Sequence, residues 1–186
     1  MEIRGNKVLK KIANNITENQ LAIFLIIVAV LLRLMPHPAN FAPIGAIALF
    51  GSFYLNKKTA IWLPLIAMIT SDLIIGLHST ILFTWGGFVL ISLLGIFLKK
   101  RKSVGKVLAG TIIGSFVFYF VTNFGVWAVT PLYEKTLQGL INCYVMAIPF
   151  FRNTVASDIF YVTMFFGAYE LAKIYRNKTL CQTVNS

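Results

Sequence analysis

Charged side chains are sparse in this sequence, and the few that fall inside apolar runs are the first sign of chemistry. Arg33, Asp72 and Asp158 each sit in an otherwise uncharged stretch long enough to form a helix. A charge held in hydrocarbon is costly unless paired, so by default it marks a function or a structural ion pair. Each of the three lies about one helical turn from the same end of its run, which predicts a structural ion-pair cluster of Arg33, Asp72 and Asp158. Arg33 is expected within ion-pair distance of Asp72 or Asp158. The two imidazoles stand in turns, His37 within Pro36-His37-Pro38 and His78 within Leu77-His78-Ser79. A metal site built from protein side chains takes three or four ligands, so none is expected here. One imidazole is nevertheless enough to ligate the metal of a bound cofactor.

Amides add to these groups. Phe116, Phe120, Asn123 and Trp127 recur at the spacing of one helical face, and an amide buried on such a face needs a partner from another helix or from a ligand. Asn40, Asn142, Asn153 and Arg152 fall toward the same end of the molecule. The substrate-binding set expected from these positions is His37, Asn40, His78, Asn123, Trp127, Asn142 and Arg152. No Ser/His/Asp order, catalytic carboxylate pair, phosphate loop or HExxH motif is present, so the chain is expected to bind rather than to catalyse.

The elements that must position these residues follow from composition. Of 186 residues, 58% are hydrophobic, 14% aromatic and only 12% charged; a soluble domain carries about 25% charged residues. The expected fold is an all-α membrane protein, a bundle of six transmembrane helices with an extra short helix in the fifth loop. The spans are read at 21–35, 41–55, 59–76, 80–98, 107–129 and 154–175, with the short helix at 137–151. The 41–55 run is dense in Gly, Ala and Ser, which lets helix backbones approach closely in lipid and places this segment among other helices. The domain reading is a basic cytoplasmic segment at 1–20, a single transmembrane domain at 21–175 and a cytoplasmic tail at 176–186.

Six spans rather than seven follow from charge. Basic residues crowd the N-terminal segment, Lys57–Lys58, Lys99–Lys106 and the C-terminal end, leaving Lys135 and Arg152 on the other side. The positive-inside rule then makes both termini cytoplasmic in a multi-pass protein of the cell membrane. The net charge of +11 is thereby assigned to the anionic leaflet, and nucleic acid is not expected as a partner. Cys143 and Cys181 are too few and too far apart for a disulfide framework.

The stretches RLMPHPANFAPIGAIALFG, SDLIIGLH, GSFVFYFVTNFGVW, GLINCYVMAIPFFRNT and SDIFYVTMFFGAYE, which cover nearly all of residues 30–172, resemble a family of small bacterial membrane proteins. That family is in turn similar in size and layout to the substrate-binding S-components of energy-coupling-factor (ECF) vitamin transporters, particularly the stand-alone cobalamin type. The resemblance implies six helices, cytoplasmic termini, and a site built from outer loops one, three and five. It also implies a small-molecule substrate, with a cobalt-containing corrinoid as one such ligand, and an energising membrane partner with ATPase subunits. The nearest match to the AxxxA docking motif of S-components is Ala42–Ala46, on the second apolar run rather than the first. Where the cobalamin type carries a cysteine in its third loop this chain has His78, and imidazole also ligates cobalt. Beside uptake stand two other readings. A membrane-embedded enzyme acting on a lipid-like substrate would need an acid/base pair or metal site, and a structural or assembly protein would be packed solid.

Overall fold

The computed structural model describes residues 20–101 and 103–184, with side chains over 20–100 and 103–174. All but the last residue of the expected N-terminal segment 1–20 lies outside the described residues. Among these residues seven α-helices follow one another: α1 (Gln20–Leu34), then α2 (Ile44–Tyr54), α3 (Lys57–Ile75), α4 (Ile81–Leu98), α5 (Val104–Val129), α6 (Leu137–Met146) and α7 (Ile148–Val184). Among the described residues there is no strand. α3, α4 and α5 are each long and apolar enough to cross a membrane. Apolar side chains such as Trp62, Leu73, Leu82 and Phe97 stand exposed along α3 and α4, as a lipid-facing surface requires.

Helix starts are set locally. Asn56 Oδ1 accepts the Thr59 N–H at 2.9 Å, Ser103 Oγ that of Lys106 at 3.3 Å, and Thr136 Oγ1 that of Gly139 at 3.1 Å. Each satisfies a first-turn donor that the helix itself cannot. The Ser103 cap starts α5 three residues before the expected Val107. Pro43 holds the chain out of helix until Ile44, so the second apolar run begins later than its hydropathy suggests.

The largest departure from expectation concerns Pro149. Read as an interruption between a loop helix and a span starting at Thr154, it is instead the second residue of α7. Proline is tolerated in a first turn because its missing N–H has no acceptor there. Arg152 and Asn153 are therefore helical rather than part of a long fifth loop. α7 also continues past the expected end of the span to Val184.

α2 is the centre of the packing. Every residue from Ile44 to Phe53 is buried, and α3, α4, α5 and α7 all pack against it. A helix apolar on all sides is one surrounded on all sides. At 11 residues it is only about 16 Å long, against about 27 Å for α4. Ser52 meets Gly95, and the Leu55 carbonyl accepts from Lys99 Nζ at 2.8 Å, so α2 lies beside only the Lys99 half of α4. The half toward His78 has no central helix.

Pro64 does not break α3. It removes the N–H that would bond the Ala60 carbonyl, and Ser92 Oγ of α4 donates to that carbonyl instead, at 3.0 Å. Ser52 Oγ of α2 in turn donates to the Ser92 carbonyl at 2.8 Å. Ser92→Ala is expected to cost about 1–3 kcal/mol by orphaning a buried carbonyl. In a Pro64→Ala background, where the helix supplies its own donor, the cost should shrink toward zero. Unfolding in mixed micelles measures both, and an unchanged cost would refute the assignment.

Candidate functional site

Where α2 stops, the surrounding helices part around a cavity of about 490 Å³. Its floor is formed by Ile44 and Gly45 of α2, Ile91 of α4 and Asp158 of α7. Its walls repeat at four-residue intervals, one helical face each: Thr80, just before α4, with Thr84 and Phe88 on it; Phe118, Thr122 and Val126 on α5; Phe150, Thr154 and Asp158 on α7. Arg33, His37, Asn40, His78, Leu132 and Tyr133 add to the lining from the ends of helices and from loops.

Carbonyls of the segment before α2 are held by α7. Asn153 Nδ2 donates to the Ala39 carbonyl at 3.0 Å and Ser157 Oγ to that of Ala42 at 2.9 Å. Asn40 sits between them in the left-handed region, φ 62°, a conformation that asparagine tolerates better than most residues. Non-helical backbone is thus supported by side chains where it borders the cavity.

The expected three-charge cluster resolves into a pair and a separate carboxyl. Arg33 Nη2 lies 2.6 Å from Asp72 Oδ1, and Arg33 Nη1 donates to Ser71 Oγ at 2.6 Å. The other Asp72 oxygen accepts Trp85 Nε1–H at 2.8 Å. Asp158 stands apart on the floor, where Oδ2 lies 2.6 Å from Ser115 Oγ. The two carboxyls separate because α7 enters the packing beside α2 and α5, whereas α1 and α3 meet each other.

Of the residues expected to bind substrate, His37, Asn40, His78 and Asn123 line the cavity. Both ring nitrogens of His37 face backbone carbonyls, Nδ1 that of Pro38 at 2.9 Å and Nε2 that of Arg33 at 3.2 Å. His78 Nε2 lies 3.4 Å from Thr84 Oγ1. Trp127, Asn142 and Arg152 are not on the wall. Trp127 Nε1 donates to the Glu134 carbonyl at 2.9 Å and Lys135 lies over the ring, so this indole ties down the loop before α6. Asn142 accepts from Gln138 along the exposed side of α6. Arg152 is exposed, about half a turn round α7 from Phe150 and Thr154. The face of α5 that lines the cavity is Phe118, Thr122 and Val126 with Asn123 at its edge, not the expected Phe116, Phe120, Asn123 and Trp127. Phe116 and Phe120 pack instead on Phe151 and Tyr144.

Three threonines that sequence reading passed over carry much of the wall's polarity. Thr84, Thr122 and Thr154 each donate to the carbonyl four residues back, at 3.3, 2.7 and 3.1 Å. Asn123 Nδ2 does the same to Tyr119 at 2.8 Å. Their hydroxyl protons are committed, so toward the cavity these hydroxyls offer oxygen lone pairs. Among the described residues, no group of three or more His, Cys, Asp and Glu side chains is placed to hold a metal ion.

The chain belongs to DUF6580, a family of unknown function, with residues 13–180 matched. No curated protein and no solved structure matches it significantly.

Proposed function

We propose that this DUF6580 chain is a multi-pass membrane protein that captures a small molecule from outside the cell for uptake, in the manner of an ECF S-component. The cavity carries this reading. Its volume of about 490 Å³ falls within the roughly 300–1,000 Å³ typical of small-molecule sites. Aromatic walls with a few convergent polar groups are the usual composition of such sites. A solid bundle, as a purely structural protein would have, offers no such space.

In this reading six segments cross the bilayer, the second as the short α2 continued by the non-helical chain before it, and α6 is a short helix in the fifth connection. Lys57, Lys58, Lys99, Lys100 and Lys106 lie at the end of the bundle opposite the cavity mouth. That distribution supports a cytoplasmic location for their end, with the mouth facing outward. The ligand is vitamin- or cofactor-sized, and uptake draws its energy from a membrane partner with ATPase subunits. A cobalt corrinoid, the ligand that the S-component resemblance implies, would meet His37 or His78 at the mouth.

Mass spectrometry of small molecules retained by the detergent-purified protein tests the reading and separates a corrinoid from a smaller ligand by mass. A retained molecule is expected, with His78→Ala and Asn123→Ala each reducing its amount several-fold. Lys100→Ala, at the other end of the bundle, should leave it unchanged. Equal retention in all of these proteins would place the ligand elsewhere.

A further inference from the structure

We propose that the cavity selects an organic cation, a molecule with an aromatic or apolar body whose ammonium or amidinium group seats on Asp158. The inference rests on the reading of the cavity as a ligand site and adds the charge of the ligand. Two charged side chains line the cavity, Arg33 and Asp158. The first is neutralised by Asp72 at 2.6 Å, whose remaining oxygen is taken by Trp85. Asp158 makes no ion pair among the described residues, so the charged-type side chain of the cavity left without a counter-charge is an acid, in a chain of net charge +11.

The Asp158 carboxyl is built in rather than incidental. It is 6% exposed, and among the described residues Ser115 is its one hydrogen-bond partner, through Oδ2. Among the described residues Oδ1 receives no hydrogen bond, yet it is not fully buried, and Asp158 lines the cavity. The first turn of α2 faces the same carboxyl through Gly45. A helix N-terminus carries roughly half a positive charge, which offsets part of the carboxylate charge but donates no hydrogen bond to Oδ1 here. The same arrangement disfavours an anionic ligand there, because the helix N-terminus at the floor already has a carboxyl against it.

The walls point the same way. With the protons of Thr84, Thr122 and Thr154 committed to their own helices, these side chains accept rather than donate. A ligand matched to such a wall brings donors. Phe88, Phe118 and Phe150 also line the cavity, and aromatic side chains favour a cation or an aromatic body beside them.

Matched probe pairs test the assignment: tryptamine against tryptophol, and phenethylamine against phenethyl alcohol. Each pair differs in an ammonium against a hydroxyl. Binding to the full-length protein in detergent is read by calorimetry and by thermal stabilisation. The wild type is expected to prefer each cation about ten- to a hundredfold, the range of a charge-assisted hydrogen bond. Asp158→Asn should abolish the preference while leaving the alcohols unaffected. Ser115→Ala, which keeps the carboxyl, should retain the preference, so the assignment is tested even if Asp158→Asn does not fold. A wild type that binds alcohols as tightly as amines overturns the cation assignment and leaves the cavity reading standing. Persistence of the preference in Asp158→Asn overturns Asp158 as the seat of the cation. A wild type that binds neither member of either pair and retains no co-purified molecule overturns both.

Discussion

Asp72→Ala is expected to destabilise the protein by about 3–5 kcal/mol, the cost of removing one partner from a buried ion pair. Asp72 is 1% exposed and both of its oxygens are occupied, one by Arg33 and one by the Trp85 indole. The substitution strands a guanidinium and an N–H together. Replacing Arg33 as well, in Arg33→Met/Asp72→Leu, removes the uncompensated charge and should recover most of the loss, because an apolar pair of similar volume is often as stable as the ion pair. Unfolding by denaturing detergent in mixed micelles, followed by circular dichroism, measures each variant. If the double variant is as damaged as the single one, the pair does not hold α1 to α3.

The second large effect is expected at Gly45. A Cβ built there would lie 2.5 Å from Asp158 Oδ1, closer than non-bonded atoms approach. Gly45→Ala therefore has to move either the carboxyl or the start of α2. Moving the carboxyl breaks the Ser115 contact and carries Asp158 away from the floor. Overpacking of this kind costs about 1–3 kcal/mol, and the loss of ligand retention should be larger than that of either wall substitution. Gly86→Ala on α4 is the control, since its Cβ would meet open space. In a helix that change is neutral or stabilising by up to about 1 kcal/mol. Equal behaviour of the two variants would mean that the closeness of Gly45 to Asp158 is unimportant.

How far this could be read from sequence differs from element to element. The helices were legible because hydropathy marks them and prolines or capping residues punctuate them. The central role of α2 was legible from its small residues, since Gly95 opposite Ser52 and Gly110 opposite Leu49 are the close approaches such residues allow. What escaped was depth. Asp72 and Asp158 stand at similar distances from the ends of their apolar runs, but α7 begins at Ile148 rather than Thr154, so the counted turn does not measure position in the bundle. Facing escaped too. Phe116–Phe120 and Phe118–Thr122–Val126 share one spacing on α5, and periodicity cannot tell which turns toward a gap between helices. The indole of Trp127 reads as a binding surface until its N–H is seen to hold the Glu134 carbonyl. The three wall threonines left no signal, because a threonine bonded to its own helix is ordinary within an apolar run.

The cavity as the ligand site is tested most directly by an experimental density map of the protein purified from its cells with no ligand added. Density belonging to no protein atom is predicted in the cavity against Phe118 and Phe150, reaching Asp158 at the floor and within contact of Asn123. A map in which side chains close this space, or in which the bound molecule lies instead beside Glu170 near the far end of α2, would contradict it.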